Sequence, residues 1–80
     1  MKLKCYEVVW ADSCTRDGWD CVESYLDMVP AEVTSIGWLL SKTRQSVTLV
    51  QNFSPNGLVS SSITIPRGCI KEMRRWRGEV

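Results

Sequence analysis

Short segments rich in β-branched and aromatic residues, each bounded by turn-forming residues, are the feature that most constrains the fold of this chain. Five such segments cover residues 3–11, 33–41, 46–53, 60–65 and 69–73. Segments 33–41 and 46–53 predict a hairpin that turns through Lys42-Thr-Arg-Gln, and Ser54-Pro-Asn-Gly is typical of the next turn. Because consecutive short strands close most economically into a barrel, we expect a mainly β, five-stranded antiparallel barrel.

The first and last segments differ in how clearly they predict a strand. Alternation in the first segment places on one face the side chains of Tyr6, Val8 and Trp10. Pro66 ends the fourth segment because it cannot donate a ladder hydrogen bond, and Arg67-Gly68 makes a corner. The last segment is predicted to be a short strand, although a helical face is also possible for Ile70, Met73 and Trp76.

One short α-helix is predicted between the first two strands. Asp17 is a candidate N-cap for a helix that begins near Gly18, and Pro30 supplies its stop. The apolar residues at helical spacing on one side are Trp19, Val22 and Leu26. We expect this helix to lie across the sheet or to close one end of the barrel.

The length of 80 residues and the apolar fraction of 44% predict one small domain over residues 1–80. A domain of this size has a thin core, so we expect copies of the chain to associate. No apolar run reaches the length of a membrane span and no signal-peptide core follows Met1, which predicts a cytosolic protein.

The cysteines are predicted to be reduced thiols in the cytosol. They are Cys5, Cys14, Cys21 and Cys69. Their spacing lacks the close pairs of a zinc site and the chain has no histidine, so buried or half-buried free thiols are expected, with no metal and no other cofactor.

Charge is distributed unevenly along the chain. Acidic residues dominate up to Glu32, whereas basic residues dominate from Lys42 to Arg77. The basic residues of that region are Lys42, Arg44, Arg67, Lys71, Arg74, Arg75 and Arg77. They form an anion-binding patch if they converge in space, and the alternative is a solubilising tail at Arg74, Arg75 and Arg77.

Binding is favoured over catalysis. The absence of histidine removes Ser-His and Cys-His pairs, and the chain has no phosphate-binding glycine loop, so we expect no enzyme. Indole faces stack nucleobases, arginine forks pair phosphate oxygens, and short polar side chains bind ribose hydroxyls or base edges. The candidate ligand-binding residues are Trp10, Asp12, Ser13, Trp19, Arg44, Asn52 and Arg67.

Each candidate also has a structural interpretation. Trp19 on the helix face and Trp38 inside the hairpin are typical of core residues, whereas stacking and packing suit Trp10 equally. Arg67 can be a turn residue or an intersubunit salt-bridge partner, and Asp12 can cap the loop that follows it.

Two stretches resemble Sm-like and SH3-like small barrels. Ser35-Ile-Gly-Trp-Leu-Leu followed by Ser46-Val-Thr-Leu is similar to their bent, glycine-containing hairpin, and Ile63-Thr-Ile-Pro-Arg-Gly-Cys-Ile is similar to the strand, turn and strand that end such barrels. The resemblance implies an SH3/Sm-like barrel and RNA or DNA binding. The acidic, aromatic and asparagine residues of the first Sm motif are absent, because the hairpin turn reads Thr43, Arg44, Gln45.

The whole chain resembles a group of very small bacteriophage-encoded proteins. The resemblance lies in Val9-Trp10-Ala-Asp12-Ser13, Gly18-Trp19, Ser35-Ile-Gly37-Trp38-Leu and Ile65-Pro66-Arg67-Gly68-Cys69-Ile70. Small oligomeric phage barrels include inhibitors of host immunity that sequester nucleotide second messengers. This implies, as the leading hypothesis, a non-catalytic protein of the host cytosol that sequesters a cyclic oligonucleotide at a homo-oligomer interface. The alternatives are an Sm-like single-stranded RNA or DNA binder, and an inhibitor that occludes a host defence or transcription protein.

Overall fold

The computed structural model describes residues 2–78, which form one antiparallel sheet and one short helix. The elements in chain order are β1 (Cys5–Asp12), α1 (Val22–Leu26), β2 (Ala31–Lys42), β3 (Ser46–Phe53), β4 (Val59–Pro66), a 3₁₀ turn (Arg67–Cys69) and β5 (Ile70–Arg75). The mainly β prediction, the β2–β3 hairpin and the helix after the first strand are confirmed. The last segment is a strand and not a helix.

The sheet has the order β4-β3-β2-β1-β5 and is open between its two outer strands. The predicted closure into a barrel is therefore not present as hydrogen-bonded pairing within residues 2–78. Pro66, the last residue of β4, pairs with Ser46 of β3. Because the 3₁₀ turn and not a tight hairpin turn follows Pro66, β5 is carried away from β4 and pairs with β1 instead.

The open sheet curls around a single core. The buried cluster consists of Val8, Val47, Leu49 and Ile65. Ile63 of β4 and Met73 of β5 pack against this same cluster, although their strands lie at opposite ends of the sheet order. Tyr6 and Trp10 also pack on it, which confirms that Tyr6, Val8 and Trp10 share one face of β1 and shows that this face lies on the core.

Gly37 permits the close approach of β2 to β3. A Cβ atom at this position would lie 3.0 Å from the Val50 carbonyl oxygen and 3.1 Å from Leu49 Cβ. A register shift between Leu39 and Ser41 adds a bulge further along β2. Bulges increase local twist and bend a strand, so these features let the twelve-residue β2 curve around the core.

The segment between β1 and β2 departs from its prediction. Helix α1 begins at Val22 and not near Gly18, and its N-cap is Cys21, not Asp17. Gly18 has a φ of +104°, which interrupts a right-handed helix at the predicted start. The remaining five residues make little more than one turn.

The helix does not cover the sheet as predicted. None of its residues is buried. The exposed apolar side chains of the segment are Trp19 at 104%, Val22 at 69%, Leu26 at 75% and Val29 at 73%. The interpretation of Trp19 as a core residue is therefore wrong, because a single turn is too short to press a continuous apolar stripe against the sheet. Trp38 is half-buried and packs edge-to-face on Phe53 at 5.2 Å between ring centroids.

The cysteines divide into two classes. Cys5 and Cys69 are half-buried free thiols, as predicted. Cys14 and Cys21 are exposed, which contradicts the prediction for these two, because both lie in the segment that the sheet does not cover. No helix within residues 2–78 is long and apolar enough to cross a membrane.

Candidate functional site

Two of the candidate residues, Arg44 and Arg67, lie on turns that contact each other, namely the β2–β3 turn and the 3₁₀ turn. Thr43 Oγ1 accepts hydrogen bonds from the amides of Gln45 at 3.1 Å and Ser46 at 3.0 Å, which fixes the hairpin turn that carries Arg44. The Arg67 amide donates to the Gln45 carbonyl at 2.9 Å, and Arg67 Nε donates to the Thr43 carbonyl at 3.0 Å. Backbone contacts thus hold Arg67 beside the turn of Arg44, and we call this region the arginine corner (Thr43, Arg44, Gln45 and Arg67).

The arginine corner retains hydrogen-bonding capacity for an anion. Thr43, Arg44 and Gln45 line a shallow concavity of about 720 Å³. Within residues 2–78, no carboxylate lies within 4.0 Å of the Arg44 or Arg67 guanidinium. Arg67 uses Nε for the Thr43 carbonyl, and its two terminal nitrogens make no hydrogen bond to another residue of the described range 2–78. Two guanidinium groups without acidic partners at one corner can bind phosphate oxygens.

Trp10 lies on the other side of the 3₁₀ turn. It pairs with Ile70, which directly follows that turn, and the turn contacts β1. Its indole Nε1 donates to Ser35 Oγ at 3.0 Å, and its ring packs partly on the core. These contacts give Trp10 a structural role beside the 3₁₀ turn. Asp12 ends β1 half-buried opposite Ala31.

The remaining candidates are not gathered with the arginines. Ser13 is exposed immediately after β1, and Trp19 is exposed in the segment before α1. Asn52 lies near the end of β3, whereas the arginine corner lies before its start. With Phe53 and Leu58, Asn52 lines a separate concavity of about 400 Å³. A single copy therefore assembles only the arginine part of the predicted ligand site.

Two of the three C-terminal arginines do not lie in a tail, whereas Arg77 follows the last strand. Arg74 and Arg75 lie within β5, so the alternative of a solubilising tail is wrong for these two residues. Arg74 Nε contacts Glu7 Oε1 at 2.6 Å, and its Nη1 contacts Glu72 Oε1 at 3.1 Å. The hydrogen bond and charge of Glu7 raise the pKa of Arg74 further above its ordinary value.

Sequence reasoning missed a basic cluster that joins the two ends of the chain. Lys2, Leu3, Lys4 and Arg75 line a pocket of about 270 Å³. The cluster could have been found only from the pairing of the first strand with the last. This pairing places Tyr6 opposite Arg75, which is 69 positions away in the sequence. Burial raises the pKa of the neighbouring Cys5 thiol, and the charge of Arg75 acts in the opposite direction.

No family model, curated protein or solved structure matches this chain. Within residues 2–78, no group of three or more Cys, Asp or Glu side chains is arranged to hold a metal ion.

Proposed function

We propose that this protein is a non-catalytic binding protein that sequesters a nucleotide immune signal, such as a cyclic oligonucleotide, at an interface between copies of the chain. The observation that carries the proposal is the arginine corner, where Arg44 and Arg67 lie on backbone-fixed turns without an acidic partner among the described residues. Arginine pairs phosphate oxygens through a planar fork, and a fixed position reduces the entropy lost on binding.

The proposed interface between copies is supported by what one copy lacks. Stacking of a base needs an exposed aromatic face, and within the predicted set Trp19 is the fully exposed indole. Asn52 and Trp19 belong to regions separate from the arginine corner. A second copy can supply these groups to the arginines of the first. It would also cover apolar surface that the thin core leaves exposed.

The proposal includes an SH3/Sm-like fold, a phage origin and a location in the host cytosol. Support for the fold comes from β1 lying between β2 and β5, from the 3₁₀ turn before β5, and from the core shared by β4 and β5. Such a fold places loops at its ends, where binding residues are positioned by a rigid sheet.

A ligand-recovery experiment tests this function. The purified protein is incubated with a panel of cyclic oligonucleotides, bound ligand is measured by calorimetry, and the ligand is recovered after denaturation. We expect stoichiometric binding and intact ligand. Arg44→Gln should weaken binding about tenfold or more, because one charge-assisted contact is worth about 1.5–3 kcal/mol. The matched control is Lys71→Gln, since Lys71 already pairs with Glu32 at 3.1 Å. Degraded ligand, or no binding across the panel, would overturn the proposal.

A second candidate function is occlusion of a host defence or transcription protein. The exposed apolar side chains around α1 favour it, because large exposed apolar residues beside acidic ones are a feature of protein-binding surfaces. A pull-down from host lysate, repeated with Trp19→Ser, tests it. One partner that survives nuclease treatment and is lost with Trp19→Ser supports this function.

A third candidate is Sm-like binding of single-stranded RNA or DNA. Between residues 42 and 78, cations without an ion-pair partner outnumber such acids, because the carboxylate of Glu72 is paired with Arg74, and this excess favours it. Such binding weakens steeply with salt, because phosphate counterions are released. An oligonucleotide interaction that does not respond to salt would argue against this candidate.

A further inference from the structure

The basic cluster at the two ends of the chain lies on the concave side of the curled sheet. In an antiparallel pair, directly opposed side chains project from the same face. Val8 is buried in the core and is opposed by Met73, which packs on that core. Tyr6 and Arg75 form the next inward pair along the same two strands. Arg75 therefore projects from the concave side, just beyond the apolar core.

The same two strands continue toward further cations. The Trp76 amide donates to the Cys5 carbonyl at 2.9 Å, so the β1–β5 alignment extends one residue beyond Arg75, and Arg77 follows directly in the chain. The Leu39 amide donates to the Lys4 carbonyl at 2.8 Å, which holds Lys4 on the other side as well. We call Lys2, Lys4, Arg75 and Arg77 the terminal basic cluster.

The terminal basic cluster has no internal counter-charge among the described residues. No carboxylate of residues 2–78 lies within 4.0 Å of any of its four cations. The adjacent Arg74 projects from the opposite face and contacts two carboxylates, those of Glu7 and Glu72. Arg74 on the outward face is thus neutralised by carboxylates, whereas Arg75 on the inward face has no ion-pair partner within residues 2–78. Neighbouring like charges repel each other until an anion binds between them.

We propose that the terminal basic cluster is a second anion site, separate from the arginine corner, and that it binds adjacent phosphodiester groups of an oligonucleotide. Residues two apart on one strand are about 6.6 Å apart along it, and paired strands are about 5 Å apart. The four cations therefore form an extended array and do not converge on one point. An array of this kind matches successive phosphates along an oligonucleotide better than a single phosphate group. The phosphodiesters can come from a linear single strand or from a cyclic oligonucleotide.

Salt-dependent binding by matched charge variants tests this site. Anisotropy of a labelled oligothymidylate of about twelve nucleotides, and calorimetry of cyclic dinucleotides, distinguish the two ligand sources. The test variant is Lys4→Gln/Arg75→Gln. The control is Lys71→Gln/Arg74→Gln, which removes the same charge from side chains that already contact carboxylates. All four side chains are exposed, so thermal unfolding should show that each variant remains folded.

For either ligand that binds, the test variant should lose about tenfold or more in affinity at low salt, and the control should stay within about threefold. For the single strand, the slope of log affinity against log salt should fall in magnitude by about 1.4, because each phosphate contact contributes about 0.7. Equal losses in test and control, or no binding of either ligand by the unaltered protein, would overturn the inference. If Arg44→Gln loses binding and Lys4→Gln/Arg75→Gln does not, the inference is also overturned. The arginine corner would then remain the binding site.

Discussion

Replacing Gly37 by alanine tests the account of how β2 bends around the core. Gly37 is buried and lies opposite Tyr6 in the β1–β2 pair. The new Cβ would lie 3.0 Å from the Val50 carbonyl oxygen, 3.1 Å from Leu49 Cβ and 3.1 Å from Gln51 Nε2. Leu49 and Val50 are fully buried, so their backbone cannot move aside without disturbing the core.

The magnitude follows from three contributions. Overpacking at a buried position costs about 1–3 kcal/mol. Moving Gln51 away from the new methyl group breaks its 2.7 Å hydrogen bond to the Ile36 carbonyl, which contributes about 1 kcal/mol or less because Gln51 is exposed. Alanine lowers the conformational entropy of the unfolded chain relative to glycine, and this effect offsets about 0.4–1 kcal/mol of the destabilisation. The net decrease in the free energy of unfolding is about 1–3 kcal/mol.

Thermal and urea unfolding, followed by circular dichroism, measure this decrease. In a domain of this size each kcal/mol corresponds to about 4–8 °C, so Tm should fall by roughly 5–20 °C. Gly68→Ala is the matched control, because a Cβ there would have no neighbour within 4 Å. Its stability should change by less than about 0.5 kcal/mol. A Gly37→Ala protein as stable as the Gly68→Ala protein would refute the close approach of β2 to β3.

Three further predictions concern β4, the thiols and the α1 segment. Ser61 has a φ of +59° within β4, so Ser61→Val should lower the free energy of unfolding by about 1–2 kcal/mol, whereas Ser62→Val should be neutral or stabilising; the reverse order would contradict the left-handed geometry. Because burial raises the pKa of Cys5, iodoacetamide should label exposed Cys21 faster than Cys5, as measured by peptide mass spectrometry; equal rates would contradict this. Hydrogen bonds from the Cys21 amide and the Ser24 hydroxyl lower the pKa of Asp20. The ionised carboxylate therefore stabilises the folded α1 segment at neutral pH, and this stabilisation is lost as pH falls through the lowered pKa. A carbon-detected NMR titration that gives Asp20 an ordinary or raised pKa would contradict it.

Local sequence patterns accounted for the strands and turns. Two segments rich in β-favouring residues, joined by the turn through Lys42-Thr-Arg-Gln, predicted the β2–β3 hairpin, because strand preference and turn formation depend on neighbouring residues. Ser54-Pro-Asn-Gly predicted its turn because Gly57 adopts a φ of +92° and donates to the Ser54 carbonyl at 3.1 Å. Both features are decided within a few residues of chain.

Features that depend on distant parts of the chain escaped prediction. The spacing of Trp19, Val22 and Leu26 matched a helix face, but periodicity does not show whether a surface exists to receive that face. The open sheet reflects the path of the 3₁₀ turn, which is set by tertiary contacts of Arg67 with the β2–β3 turn. The same contacts of Arg67 with Thr43 and Gln45 place it beside the turn that carries Arg44.

The candidate site was predicted in its residue types and only partly in its grouping. Arg44 and Arg67 were chosen because each lies on a turn, and the register of β3 with β4 brings the two turns together. The sequence is equally compatible with a ligand-stacking role and a packing role for Trp10. Its contacts with Ser35 and the core favour the packing role. The terminal basic cluster depends on the β1–β5 pairing, which no local pattern specifies.

Native mass spectrometry of the freshly purified protein tests the central claim of sequestration between copies most directly, because it measures the number of subunits and the mass of any bound ligand together. We expect an assembly of two or more copies that carries a nucleotide-sized ligand, acquired from the expressing cell or added as a cyclic oligonucleotide, and that releases the ligand intact on denaturation. A monomer that binds no nucleotide at any concentration of the panel would contradict the claim.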